Sequence, residues 1–125
     1  MDSESLAAAG LLAALSRASG ILADLRHPLV RSEGFSYFFP DAGARIGTTF
    51  TLPDGREVRF EVSITVSAAA FQVEGSITAE NDPLLELPRK SLPSISDGLA
   101  AFDDYVGEVA APATRLIEQL LDEIV

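Results

Sequence analysis

The sequence contains no cysteine and only one histidine. Without thiols, the chain cannot form disulfides, thiolate nucleophiles, thiolate zinc sites or iron–sulfur centres. A single imidazole, His27, with no cysteine beside it also argues against a transition-metal site. The sequence therefore predicts no metal centre and no cofactor.

Long apolar runs are also missing. Residues 6–15 are apolar for the most part but too few to span a bilayer, and Gly10 interrupts them. The chain opens on Asp2 and Glu4, whereas a secretory signal opens on basic residues. We therefore expect a cytoplasmic protein with no membrane association.

Basic residues are scarce, nine Lys and Arg against 19 Asp and Glu, which leaves a net charge of −10. Nucleic acids and anionic membranes bind clustered Lys and Arg, so neither is an expected ligand. The acidity peaks over residues 97–125, where seven acids stand against Arg115 alone and give −6 of the total. An acidic surface of this kind attracts a basic partner protein.

Catalytic signatures are missing as well. The sequence has no phosphate-binding loop, no dinucleotide-binding glycine pattern and no Gly-x-Ser-x-Gly elbow. His27 stands between Arg26 and Pro28 with no nucleophile or orienting acid beside it. Asp104 and Glu108 share a helix face but indicate a solvated surface rather than an acid–base pair. The sequence predicts no catalytic residues and no enzyme.

What the chain does contain is enough apolar material for a core, 47% of 125 residues, which fits a single domain over 1–125. Apolar residues recur at helical spacing through residues 1–27, and Pro28 ends the pattern. This predicts an N-terminal helix whose buried face carries Leu11, Leu15, Ala18, Leu22 and Leu25.

Period-two alternation follows over residues 34–80. It predicts four strands at 34–40, 45–52, 56–66 and 71–80, with a turn at Pro53-Asp54-Gly55. The clearest strand is 58–66, which is apolar at every second residue. Because only one face of each strand is apolar, we expect an antiparallel meander with one covered face.

Residues 81–93 carry Pro83, Pro88 and Pro93, which predict an extended crossing segment rather than a helix or strand. Residues 94–125 predict a C-terminal helix kinked near Pro112. The fold class expected is thus α+β: a helix, a four-stranded antiparallel meander and a second helix, with both helices on one face of the sheet.

Two surface features suggest binding. The first strand is aromatic; we place Phe35, Tyr37 and Phe39 in the core and Phe38 on the outside as an anchor for a partner or a second copy. The hydroxyl-rich sheet face, together with Phe38, predicts a homodimer. The predicted partner-binding residues are Phe38, Arg59, Glu61, Asp103, Asp104 and Glu108.

In layout, size and acidity the chain is similar to small bacterial secretion chaperones and toxin-immunity proteins. That resemblance implies a non-enzymatic protein-binding module, such as a chaperone, immunity protein or adaptor. One alternative is a carrier of a small apolar ligand, held between sheet and helices. Its cavity would be lined by Phe50, Phe60, Val62, Phe71, Phe102 and Val106. Another is a hydrolase or isomerase that uses carboxylates and His27.

Overall fold

The fold is seen in a computed structural model that describes residues 3–39, 43–66, 71–80 and 82–124. These residues form an α+β fold with one antiparallel sheet. The elements, in chain order, are α1 (Ser3–Ala23), β1 (Arg31–Phe39), β2 (Gly43–Thr51), β3 (Glu57–Val66), β4 (Phe71–Ala79), β5 (Asp82–Leu92), α2 (Ile95–Ala110) and α3 (Ala113–Ile124).

The sheet has the order β1-β2-β3-β4-β5, so every strand pairs with its neighbour along the chain. The turn between β2 and β3 follows the predicted chemistry. Gly55 takes a φ of 93° and its N–H donates to Leu52 O at 2.9 Å, while the Asp54 carboxylate accepts from the N–H of Arg56 at 3.0 Å. This tight turn fixes the β2–β3 register that places Phe50 opposite Val58.

The prediction for residues 81–93 is wrong in one respect, because the segment forms the fifth strand, β5, along β4. An edge strand needs backbone hydrogen bonds on one side only, which is why it can hold Pro83 and Pro88. The β4–β5 register also shifts twice, between Val73 and Gly75 and between Ile77 and Thr78. These irregularities accommodate residues that could not join a regular ladder.

The helices pack against one face of this sheet. Helix α1 packs on β1, β2 and α2, and α2 packs on β3, β4 and β5. The Thr48 hydroxyl donates to Leu22 O near the end of α1 at 2.5 Å, and Gly75 lies under Val109 of α2. The core between them includes Leu22, Ile46, Phe50, Val58, Phe60, Val62, Ile64, Val73, Ile77, Phe102, Val106 and Ile117.

The C-terminal helical segment is broken at its proline. Helix α2 begins after Ser94, whose hydroxyl caps it by accepting from the N–H of Asp97, and ends at Ala110. Helix α3 starts at Ala113, directly after Pro112, which has no N–H to continue the ladder of α2. The break turns α3 so that Ile117 is buried near Phe50.

The prediction that Phe35 and Tyr37 of β1 face the core is wrong. Gly34 pairs with Thr48 and Ser36 with Ile46, and both partners are buried beneath α1. Phe35 and Tyr37 therefore lie on the opposite, uncovered side of the sheet. Helix α1 lies above β1: a methyl group on Gly34 would lie 3.9 Å from the Cβ of Ala23, in ordinary van der Waals contact.

Phe38 pairs with Ala44 in this register. The side chains of Phe38 and Phe39 lie outside the part of the chain that the structure describes. The predicted outward position of Phe38 is therefore untested.

Candidate functional site

The side of the sheet opposite the helices is the candidate site, and we call it the uncovered face. The strand registers bring side chains from all five strands onto it. They are Phe35 and Tyr37 from β1, Arg45 and Thr49 from β2, Glu57, Arg59, Glu61 and Ser63 from β3, Glu74, Ser76 and Thr78 from β4, and Glu86 and Arg89 from β5.

One corner of the uncovered face is aromatic. The rings of Phe35 and Tyr37 lie 5.8 Å apart, and the Arg59 guanidinium lies 5.2 Å from the centroid of the Phe35 ring. Phe35 rests over Gly47, where a Cβ atom would come within 2.5 Å of the ring. The glycine thus makes room for the aromatic ring and fixes it on the sheet, while Tyr37 stays exposed.

Ion pairs between strands and one within β3 hold the centre of the face. Arg45 Nε lies 2.6 Å from Glu61 Oε1, and Arg59 Nη1 lies 3.9 Å from Glu61 Oε2. Glu74 forms a further ion pair with Arg89 of β5. The side chain of Glu61 is only 17% exposed, so its arginines hold it against the sheet. Positive and negative groups therefore alternate across this face.

Shallow depressions, open to solvent, run across the uncovered face. One of about 410 Å³ lies between Arg45, Glu61 and Glu86. Another of about 460 Å³ is bordered by Glu57, Arg59 and Glu61. A third of about 260 Å³ lies beside Phe35, Tyr37 and Arg59. Because neighbouring depressions share Arg59 or Glu61, they form one continuous uneven surface that can receive protruding side chains of a partner.

The predicted partner-binding residues fall into two separate places. Arg59 and Glu61 lie together on the uncovered face. Asp103, Asp104 and Glu108 are exposed on α2, on the other side of the sheet. Asp103 already pairs with Arg17 of α1 at 3.1 Å, which ties the two helices together. The structure thus separates the acidic helix from the sheet surface.

His27 lies in the connection between α1 and β1. Its Nδ1 accepts a hydrogen bond from the N–H of Leu29 at 3.2 Å, a local contact that orients the ring. A cleft of about 110 Å³ next to it is bordered by Asp24, Thr114 and Ile117. Among the hydrogen bonds of the described residues, none joins His27 to a hydroxyl or a carboxylate.

The residues named for an apolar cavity are mainly packed core. Phe50, Phe60 and Phe102 are fully buried, and the Phe50 and Phe60 rings meet edge to face with centroids 5.4 Å apart. An apolar depression lies elsewhere, between α1 and β1, with a volume of about 300 Å³ and with Leu12 and Tyr37 on its rim.

Sequence reasoning missed Phe35 and Tyr37 as surface residues. The available signal was Gly47, a glycine on the polar phase of an otherwise regular strand. Such a glycine marks a place where a neighbouring group approaches closely. Here that group is the Phe35 ring.

Compared with protein-family models, curated proteins and solved structures, the chain matches none of them. Within the residues described, no helix combines the length and apolarity needed to cross a membrane. Nor do three or more His, Asp or Glu side chains of those residues gather into a metal-binding group.

Proposed function

We propose that this chain is a non-enzymatic protein-binding module that holds its partner on the uncovered face of the sheet. The observation that carries the proposal is the aromatic corner beside two arginines that form ion pairs with Glu61. Tyrosine and arginine are enriched where protein interfaces gain most of their free energy. Here Phe35, Tyr37 and Arg59 form one exposed group that the backbone of Gly47 holds in place.

The shape of the uncovered face favours a protein over a small molecule as the ligand. The depressions are open and lie side by side across β1 to β5, whereas small-molecule sites enclose most of the ligand surface. A partner that lays a strand or loop over them would meet alternating positive and negative groups. The net charge of −10 would speed the approach of a basic partner and slow that of an acidic one.

The proposal can be tested by site-specific photo-crosslinking in cells of the source organism. A photoreactive residue at Arg59 reports on the uncovered face, and one at Asp104 reports on the acidic helix α2. Gln119, exposed on α3, is the matched control. We expect one discrete partner band from position 59 and none from position 119.

The pattern of crosslinks also decides between surfaces. A partner captured at position 104 and not at 59 would move the binding surface to α2. If no position gives a discrete band, the proposal of a protein-binding module fails. Substituting Tyr37→Ala should weaken the crosslink at position 59, because it removes the exposed aromatic neighbour of that site.

The carrier hypothesis stays a prediction. Native mass spectrometry of freshly purified protein tests it directly, because a bound apolar ligand adds a discrete mass. The depression between α1 and β1 is the place where the described residues leave apolar space for such a ligand.

A further inference from the structure

The two edges of the sheet differ in whether they can accept another strand. Edge strand β5 contains Pro83 and Pro88 and shifts register twice against β4. Strand β1 contains no proline, and all nine of its residues pair with β2 in unbroken register. Within the described residues the sheet ends at β1. A long, regular edge of this kind is a template for strand pairing, whereas prolines and bulges block it.

Exposed apolar side chains gather around the same edge. Leu29, two residues before β1, is 72% exposed, and Tyr37 within it is 55% exposed. Leu12, on the flank of α1 next to β1, is 56% exposed and borders the apolar depression with Tyr37. Three of the five large apolar side chains that are exposed among the described residues therefore border β1.

Charge also permits pairing at the β1 edge. Both edge strands are neutral, since β1 carries Arg31 and Glu33 and β5 carries two acidic and two basic residues, so the difference lies in the helices beside them. The neighbouring flank of α1, with Leu12, Ser16 and Ser19, is uncharged. The acidic helix α2 packs on β3, β4 and β5, toward the opposite edge of the sheet. Two copies of this chain therefore meet with the least repulsion at β1.

We infer that β1 is the interface with a second copy of the chain. The two β1 strands pair antiparallel about a two-fold axis perpendicular to the sheet, and the α1 flanks with Leu12 pack beside each other. This arrangement joins two five-stranded sheets into one. Because the β5 edges are blocked, the assembly closes as a dimer and does not grow further.

The dimer has a consequence for binding. A two-fold axis perpendicular to the sheet leaves both uncovered faces on the same side. The dimer interface is an edge and the proposed binding surface is a face, and Tyr37 borders both. The two tests remain distinguishable, because sedimentation of the purified chain reports on the dimer alone and photo-crosslinking at Arg59 reports on the partner.

Sedimentation from low to high micromolar concentration tests the inference on the purified full chain. We expect the unmodified chain to be dimeric at the upper end, and the double variant Leu12→Lys/Tyr37→Lys to be monomeric throughout. Both side chains are more than half exposed, so the monomer should keep its fold, which circular dichroism verifies. The matched control is Leu84→Lys on β5, 39% exposed, which should remain dimeric.

Crosslinking provides a second measurement that does not depend on the lysine variants. Because the chain has no cysteine, each single substitution introduces one thiol. Glu33→Cys should give a covalent dimer with a short bis-maleimide, and Glu86→Cys on β5 should not. A monomer at high micromolar concentration overturns the inference, and so does a dimer that survives the double lysine change or crosslinks through position 86 instead of 33.

Discussion

The two faces of the sheet place packed core and polar surface on alternate residues of the same strands. In β3, Val58, Phe60 and Val62 are fully buried beneath the helices. Arg59 and Glu61 lie between them in sequence, on the uncovered face. The pleat alone produces this division, because successive side chains point to opposite sides. Substitutions at adjacent residues of β3 should therefore differ in effect: one at a buried position should lower stability, and one at the next residue should alter the surface and cost little stability.

The two faces also use glycine in different ways. On the covered face Gly34 has ordinary space around it, since its nearest neighbours would lie 3.8 and 3.9 Å from an added Cβ. On the uncovered face Gly47 has none, because an added Cβ would lie 2.1 Å from the carbonyl oxygen of Phe60. The tighter site is thus on the side that faces solvent.

The largest expected effect tests the division within β3. Phe60→Ala should lower the free energy of unfolding by about 3–5 kcal/mol, because it leaves a cavity beside Phe50 in a closed core. Arg59→Ala, one residue earlier, should cost less than about 1 kcal/mol, since it removes one exposed contact with Phe35. Urea denaturation measures both. Equal losses would contradict the division between faces.

The next effect tests the glycine contrast. Gly47→Ala should destabilise the fold by roughly 1–3 kcal/mol, because the new methyl group meets both the Phe60 carbonyl and the Phe35 ring. Gly34→Ala, across the β1–β2 pair, should change stability by less than about 0.5 kcal/mol. Thermal unfolding of the two variants compares them directly. If Gly34→Ala proves the more damaging, the contrast between the two glycines fails.

A smaller effect concerns Thr48, the one polar side chain buried among the described residues. Its hydroxyl donates to Leu22 O at the end of α1, a carbonyl that also accepts from the N–H of Leu25 at 3.2 Å. Thr48→Val preserves the shape and should cost about 1 kcal/mol in denaturant unfolding. Thr49→Val, the neighbour on the uncovered face, is the control and should be close to neutral.

The smallest effect is pH dependence at the β2–β3 turn. The backbone N–H of Arg56 donates to Asp54, and this bond, aided by the Arg56 side chain, holds the pKa of that carboxyl below its ordinary value of 3.8. Its stabilising contribution is therefore present above that value and is lost as pH falls through the lower, folded-state pKa. Melting temperatures across the acid range should fall less steeply for Asp54→Asn than for the unmodified chain. Parallel curves of melting temperature against pH would show that Asp54 does not contribute to the pH dependence of stability.

The sequence predicted best those parts of the fold that local patterns determine. Period-two alternation located β3, and the Pro53-Asp54-Gly55 turn joins it to β2 as expected. Two errors came from tertiary context. Proline predicts no strand, but on an edge with register shifts β5 accommodates it. Aromatic character predicts a core position, but the register of β1 with β2 puts Phe35 opposite Gly47, where its ring rests on the uncovered face.

The candidate site was predicted only in part, for the same reason. Arg59 and Glu61 could be assigned to the polar face from alternation alone. Their partnership with Arg45 and the Phe35 ring depends on how β1, β2 and β3 align, which no single strand encodes. The separation of this group from Asp103 and Glu108 depends on which side of the sheet α2 covers.

The neighbour-to-neighbour strand order has a consequence for how the chain acquires its structure. Every strand pairing joins segments adjacent in sequence, so the sheet can assemble as successive hairpins with little loop-closure entropy. The contact of α1 with α2 joins more distant segments, since Arg17 meets Asp103 across 86 residues of chain. A nascent chain would complete that contact only after α2 has emerged. Until then α1 is the helix available to cover β2, on which it packs in the complete fold.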